Sequence, residues 1–344
     1  MLRSMHAATG NRMELVCPAG NLPALEAAVE AGADAVYLGL RDATNARAFP
    51  GLNVDAAELA QAVAHAHARG RKLFLALNTY PESGRLATWQ AAVDTAAGAG
   101  CDAIIAADMA VLGYAARRHP ALARHLSVQG SATTAAALAY FHERFGIARA
   151  VLPRVLSLTQ VQRLCERSPV PIEVFAFGSL CIMVEGRCQL SSYVTGASPN
   201  RHGVCSPARF VRWDEHEDGS RSVRLNGVLV DRYGAAEAAG YPTVCKGRFA
   251  VGGAVFHALE EPTSLNTLAL LPQLRAAGVA ALKIEGRQRG AAYVGAVTRV
   301  WRGALDALAA DPEGWRVEAD WQARLARHAE GHQTTFGAYH RSWH

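Results

Sequence analysis

The chain has 344 residues, enough to bury one barrel-sized hydrophobic core or two smaller ones. Half of the residues are apolar and 19% are charged, which excludes a disordered chain. The formal charge of +5 is spread along the sequence without a block of like charges, so nucleic acid is not the expected partner. No apolar run reaches the ~20 residues that span a bilayer, and residues 1–12 form a polar extension without an apolar signal core. We therefore expect a cytoplasmic protein with no membrane span.

A strand–helix unit repeats along the first half of the chain. After the apolar run 14–17, Asn21 is placed to cap a helix that has Pro23 in its first turn, and Gly32 ends that helix before the next apolar run. Strands alternating with helical segments predict parallel βαβ units. Because eight strands are predicted, we expect an α/β fold of the (β/α)8-barrel type rather than a doubly wound sheet. The predicted strands are 14–17, 35–40, 72–78, 103–108, 125–129, 150–154, 172–178 and 280–285.

The regular pattern stops after the seventh strand. Residues 179–262 have weak helical periodicity and frequent glycines, which predicts a loop-rich insertion module between the two parts of the barrel, 13–178 and 263–310. The pattern resumes with a predicted helix over 264–277, kinked at Pro272, and a long helix over 291–310. The polar C-terminal tail, 311–344, has no predicted element.

Four of the seven cysteines fall in the predicted insertion. Thiolates are soft metal ligands, and four of them complete a tetrahedral zinc site or hold a four-iron cluster. The pattern lacks the Cys-x-x-Cys pairs of zinc ribbons, which favours a cluster over zinc. The alternative is four buried cysteines with no shared role. The candidate ligands are Cys181, Cys188, Cys205 and Cys245, whereas Cys17, Cys101 and Cys165 are predicted to pack in the core.

Polar side chains follow the carboxyl ends of several predicted strands, where barrel enzymes carry their sites. The arginines among them would attract a carboxylate substrate, because guanidinium groups bind carboxylates through two hydrogen bonds. The alternative is structural ion pairing, for example of Glu285 with Lys283 or Arg287. No hydrolase motif is visible, and no catalytic residue is assigned. The candidate substrate residues are Arg47, Arg154, Lys283, Glu285 and Arg287.

Several longer motifs resemble the collagenase-like peptidase family, a name inherited from early annotation. The resemblance begins at about Met13, so residues 1–12 depart from it. It is carried by ELVCPAGN at 14–21, TNAR at 44–47, VFAFGSLCIM at 174–183, EGRC at 185–188, CSPARFVRW at 205–213, CKGR at 245–248, KIEGRQR at 283–289 and QTTFGAYH at 333–340.

The resemblance implies a 4Fe-4S cluster on the four cysteines of the insertion. It also implies a heterodimer with a UbiV-like paralogue, and oxygen-independent hydroxylation of the aromatic ring of a quinone precursor in anaerobic ubiquinone biosynthesis. Prephenate is the implied oxygen donor. Two other interpretations remain open: an RNA-base hydroxylase of the same family, and a non-catalytic scaffold subunit that carries the cluster. A peptidase activity is not favoured.

Overall fold

Eight parallel strands close into a barrel, which confirms the predicted fold class. The computed structural model describes residues 12–49, 51–181, 183, 188–199 and 204–340. Seven strands follow each other around the barrel, and the eighth pairs with both the first and the seventh. The strands are β1 Glu14–Pro18, β2 Ala35–Gly39, β3 Lys72–Leu77, β4 Ala103–Ala106, β5 Ala123–Leu126, β6 Arg149–Val151, β7 Ile172–Ser179 and, after six further strands to be described, a closing strand Ala281–Ile284.

Helices cover the outside of the barrel, and their ends follow local sequence signals. The Asn21 side chain accepts a hydrogen bond from Ala24 N at 3.0 Å, which confirms the predicted cap of the first helix. Asp55 and Glu58 form a reciprocal capping box at the second. The helices are α1 Leu22–Glu30, α2 Ala56–His67, α3 Leu86–Gly98, α4 Met109–Arg118, α5 Ala135–Phe145, α6 Leu158–Arg167 and, near the C-terminus, the predicted long helix Ala291–Ala310.

Side chains alternate along each barrel strand between the outer helix layer and the barrel interior. Outward residues such as Leu15 and Leu38 join the main hydrophobic core. A smaller apolar cluster lies inside the barrel and includes Tyr37 and Phe74. The remaining interior space holds charged side chains, which are described with the site.

The insertion after β7 contains short elements of its own. Helix α7, Gln189–Thr195, precedes a three-stranded antiparallel sheet of β8 Val211–Glu215, β9 Arg221–Leu225 and β10 Val228–Tyr233. A two-stranded hairpin follows, with β11 Phe249–Val251 and β12 Ala254–Phe256. The fully buried core of this sheet is small: Val223, Leu225 and Val230.

The predicted helix over 264–277 is wrong in its first half. Residues Ser264–Asn266 form strand β13, which pairs antiparallel with the end of β7, and the helix that follows, α8, covers only Leu271–Ala276. Pro272 accounts for where the helix begins, because proline lacks a backbone N–H and is tolerated in the first turn of a helix but not in its interior. The pairing with β7 accounts for the strand before it. Next come the closing barrel strand, now β14, and the long helix, now α9.

The C-terminal tail packs against the barrel, although its sequence predicted no element. Helix α10, Ala319–His328, packs against α9. Strand β15, Thr334–Thr335, then pairs with β13, and the Tyr339 hydroxyl donates to Phe175 O at 3.2 Å. The tail therefore reaches the carboxyl end of β7. Across the described ranges, no helix has both the length and the apolar character that crossing a membrane requires.

Candidate functional site at the barrel mouth

A cavity of about 900 Å³ lies at the carboxyl ends of the barrel strands. Residues after the barrel strands form one side of it, including Arg47, Arg154 and Glu285. The insertion and the tail complete the wall with Cys181, Cys205, Tyr241, Cys245, Lys246 and Glu330, among others. The three separately predicted parts of the chain therefore meet around one space.

Three of the four candidate ligands lie at this wall, and the fourth is within electrostatic range of two of them. Cys181, Cys205 and Cys245 line the cavity, while Cys188 is buried and its sulfur accepts a hydrogen bond from Ser191 N at 3.3 Å. Cys181 lies within electrostatic range of Cys188 and of Cys245, and Cys205 is within range of the same two thiols. In the part of the chain that the structure describes, no three Cys, His, Asp or Glu side chains are positioned to hold a metal ion. Residues 184–187, which precede Cys188, lie outside the described ranges.

Burial determines the protonation of these thiols. It raises the pKa of Cys245 to about 12, and it also raises the pKa values of Cys188 and Cys205. The positive charges of Arg47 and Lys246 act against burial and lower the pKa of Cys205. Cys188, Cys205 and Cys245 are therefore protonated at neutral pH, and a metal that binds them must displace their protons.

Arg47 and Arg287 share one hydrogen-bond acceptor. Asn45 Oδ1 accepts from Arg47 N at 3.0 Å and from Arg287 Nη1 at 2.5 Å. The Arg287 guanidinium is buried 5.6 Å from the Tyr37 ring centroid, and burial lowers its pKa to about 10. Arg287 forms no ion pair with any residue of the described ranges. Arg287 is therefore a buried cation, and Asn45 connects it to the segment that carries Arg47.

Arg154 and Glu285 line the cavity on the side of β7. The Arg154 guanidinium donates to Ser179 O and lies 4.1 Å from the Phe175 ring centroid. Glu285 N donates to Phe177 O at 2.8 Å. Gly178, at φ +126, makes this approach possible, since an added Cβ would come within 2.6 Å of Glu285 Cβ. The strand end is thereby held close to the cavity wall.

Lys283 lies inside the barrel rather than at the cavity wall. Its ammonium group donates to Glu173 Oε1 at 2.7 Å and lies 3.9 Å from the Tyr37 ring centroid. Glu173 Oε2 also accepts from Arg149 at 3.1 Å. Burial raises the pKa of Glu173, but the two cations more than offset it and bring that pKa to about 2. Of the five candidate substrate residues, three line the cavity, whereas Lys283 and Arg287 do not.

Sequence reasoning missed several residues of the cavity wall. Lys246 donates to the Glu330 carboxylate, and the Tyr241 hydroxyl donates to Ser206 O at 2.8 Å. The position of Lys246, directly after Cys245, was an available signal because the chain has only three lysines. Glu330 had no such signal, since it comes from the tail without predicted elements.

Residues 20–342 match the family model described as Peptidase family U32, and the chain belongs to this family. It is 31% identical over 318 residues to tRNA hydroxylation protein P1 of Bacillus subtilis, covering 91% of this chain and 67% of that protein. It is 30% identical over 327 residues to a collagenase of Porphyromonas gingivalis, covering 92% of this chain and 71% of the other. A solved U32 peptidase has 16% identity and a TM-score of 0.43, over 52% of this chain and 74% of its own.

Hydroxylation is therefore a named role within the family, alongside peptidase and collagenase names. The chain spans about two thirds of the length of these curated relatives.

Proposed function

We propose that this chain is a hydroxylase subunit that holds a 4Fe-4S cluster through Cys181, Cys188, Cys205 and Cys245. The observation that carries the proposal is that three thiols from separate segments of the insertion line one cavity at the barrel mouth, with the buried Cys188 within electrostatic range of two of them. Four thiolates form a complete ligand set for such a cluster. The tRNA hydroxylation named for the Bacillus subtilis relative supports the reaction class.

The residues around the thiols suit a cluster. When bound, it would supply a redox-active iron centre beside the cavity. Arg47 and Lys246 place positive charge next to Cys205, and this charge would stabilise the thiolates once their protons are displaced. The cavity volume of about 900 Å³ leaves room for an organic substrate beside the cluster.

We further propose that the substrates are an aromatic quinone precursor and prephenate, as in the UbiU proteins of oxygen-independent ubiquinone biosynthesis. Prephenate carries two carboxylates and therefore needs fixed cations. Arg47 and Arg154 line the cavity, and the buried Arg287 shares Asn45 with Arg47. Lys283 would act indirectly, because its contact with Glu173 holds the end of β14 in place. Glu285 would form the edge of the anion site, since it lies in the cavity wall.

A UbiV-like partner belongs to the same proposal. The insertion has a small core of its own and exposes apolar side chains on and after its hairpin, such as Val255, Phe256 and Leu259. We expect co-expression with a UbiV-like protein to give a one-to-one complex that buries more than ~1,200 Å², as lasting interfaces do. A monomer that ignores this partner in a pull-down would contradict the expectation.

The decisive experiment is purification without oxygen, followed by an absorption spectrum and an iron count. We expect brown protein with broad absorption near ~400 nm and about four irons per chain. Anaerobic production of hydroxylated quinone in cells would then test the reaction. A colourless protein with one bound zinc would refute the cluster.

An RNA-base hydroxylase is the second candidate, because the Bacillus subtilis relative is named for tRNA. It predicts RNA that co-purifies with the protein and is released steeply as salt is raised, since phosphate contacts depend on counterion release. Normal quinone production in a deletion strain, together with a loss of RNA hydroxylation, would favour this candidate.

A further inference from the structure

We propose that Glu330 is a positioning residue for the cysteine site, because its carboxylate ties the segment that carries Cys181 to the segment that carries Cys245. The inference rests on the proposed metal–thiolate function and assigns a specific task to the C-terminal tail. Motifs around the cysteines did not indicate this task, since Glu330 lies far from all four in sequence.

Each oxygen of the Glu330 carboxylate contacts a different segment. Oε1 accepts a hydrogen bond from Ser179 Oγ, at the end of β7 and two residues before Cys181. Oε2 accepts from Lys246 Nζ, and Lys246 directly follows Cys245. The Lys246 side chain is only 12% exposed and the Glu330 side chain 25% exposed, so water screens this ion pair less than a surface pair.

The backbone fixes the position of Glu330 independently of these two contacts. Glu330 N donates to Ser264 Oγ at 3.0 Å, next to the β13–β15 pairing. The following residue, Gly331, has φ +58, and a Cβ there would lie 2.2 Å from Pro262 O. Only glycine permits this close approach, so the turn places the carboxylate over the entrance and exit of the insertion.

A site made from distant segments needs those segments held at a fixed separation. The ends of β7 and β13 are fixed by the barrel, but Cys245 lies in a short turn of the insertion, whose own core is small. The bridge through Glu330 limits how far that turn can move from Cys181. Residues that orient metal ligands in this way typically change metal affinity by about 10- to 100-fold when they are substituted.

Three substitutions distinguish the contact of Glu330 with Lys246 from its contact with Ser179. Glu330→Gln removes the charge that pairs with Lys246 but keeps an amide oxygen that can accept from Ser179. Lys246→Met keeps the apolar stem and removes the ammonium group, and Ser179→Ala removes the other donor. Glu58→Gln is the matched control, because Glu58 pairs with Arg41 on the outside of the barrel.

Two readouts are needed, and one of them does not depend on iron. The first is the rate at which a chelator removes iron from anaerobic protein, followed by the absorption near ~400 nm. The second is the affinity of the metal-free protein for Cd²⁺, measured by thiolate-to-metal absorption. In Glu330→Gln we expect iron to be removed about 10- to 100-fold faster and Cd²⁺ to bind more weakly by a similar factor. The thermal unfolding midpoint should shift no more than in Glu58→Gln.

A double-mutant cycle tests whether one carboxylate acts through the lysine. If it does, Glu330→Gln combined with Lys246→Met loses no more Cd²⁺ affinity than the worse single variant. If the losses of Cd²⁺ affinity in the two single variants multiply in the double variant, the proposal that Glu330 acts through Lys246 is contradicted. Wild-type Cd²⁺ affinity in Glu330→Gln would contradict it as well. Colourless wild-type protein whose Cd²⁺ affinity still depends on Glu330 would reject the cluster and retain the bridge.

Discussion

The barrel and its insertion are built on different physical principles. In the barrel, each strand is hydrogen-bonded on both sides and lies between apolar helices and a packed interior, and many side chains are fully buried. The insertion between β7 and β13 has short strands, one small core and a hairpin whose side chains are largely exposed. Most of the buried apolar side chains belong to the barrel and its helices, whereas the small core of the insertion makes it more dependent on additional bonds.

Those additional bonds are polar or metal-based. They include the ion pairs of Arg248 within the insertion, the contacts of Glu330 of the tail with Ser179 and Lys246 and, in our proposal, the iron–thiolate bonds. A metal site can supply stabilisation that a small core lacks. The difference means that substitutions in the two regions should affect different measured quantities: unfolding free energy for the barrel, and cofactor retention for the insertion.

The largest expected effect is the loss of the cofactor from the insertion. Alanine at any one of Cys181, Cys188, Cys205 or Cys245 leaves an incomplete ligand set, so we expect colourless or rapidly bleaching protein. The insertion should then become sensitive to protease while the barrel stays folded. Cys101→Ala and Cys165→Ala are the controls, since these cysteines lie in the core or packed against it. An unchanged iron count in any of the four variants would remove that cysteine from the ligand set.

The next effect concerns the charges inside the barrel. Glu173→Ala leaves the Lys283 ammonium and one side of Arg149 buried without their carboxylate, so we expect a loss of about 3–5 kcal/mol in the free energy of unfolding. Asp320→Ala, which breaks the exposed pair with Arg324, should cost less than about 1 kcal/mol. Urea denaturation measures both. Equal losses would mean that the interior pair contributes no more than a surface pair.

A smaller effect is expected at the cavity wall. Alanine at Arg47 or Arg154 removes a charge-assisted hydrogen bond worth about 1.5–3 kcal/mol, which should weaken binding of the anionic donor by roughly 10- to 150-fold. Alanine at Arg287 acts behind the wall, by removing the buried charge that shares Asn45 with Arg47. Iron content should not change in the Arg154 and Arg287 variants, whereas Arg47→Ala also removes positive charge from beside Cys205. Lysine at the same positions should restore binding only in part, because a point charge cannot reproduce the planar guanidinium fork.

Anaerobic quinone production by each variant, with its iron count, provides the measurement. Full activity in all three alanine variants would mean that the donor binds elsewhere. Arg287 is buried and does not line the cavity, so its variant separates the effect of a buried charge from that of direct contact with the donor.

The smallest expected effect is on the pH dependence of folding stability, and it appears only when the pH is lowered below neutral. Burial lowers the pKa of His125 to about 3, so the unfolded chain, with an ordinary pKa of ~6.5, takes up the proton first. Stability should therefore fall as pH drops below ~6.5, by up to about 1.4 kcal/mol per pH unit. His125→Phe, which keeps a ring against Phe74, should flatten the decline between pH 6.5 and 5. An identical decline in the variant would exclude His125 as its cause.

The sequence predicted the barrel well because its signals are local. A cap at Asn21, glycines shortly after the ends of several helices and an apolar run in each strand require no knowledge of distant contacts. The predicted helix over 264–277 failed where a distant contact decided the structure, since pairing with β7 makes Ser264–Asn266 a strand.

The sequence indicated which residues belong to the candidate site, but it did not indicate their ion-pair partners. The arginines at the strand ends and the four cysteines were found from their positions, whereas the partners of Lys283 and Lys246 were not. Lys283 pairs with Glu173 on the neighbouring strand β7, and Lys246 pairs with Glu330 in the tail. Such pairs depend on strand register and on packing of the tail, which single-sequence periodicity does not encode.

The direct pairing of Ser264 with Ser179 has a consequence for protein engineering. The chain leaves the barrel and returns to it at adjacent backbone positions, so the barrel imposes almost no length requirement on what lies between. Loop-closure entropy grows only slowly with loop length, and here the two ends are already joined. The position between Ser179 and Ser264 is therefore a natural graft point, where foreign modules could be exchanged for the native one on an unchanged barrel.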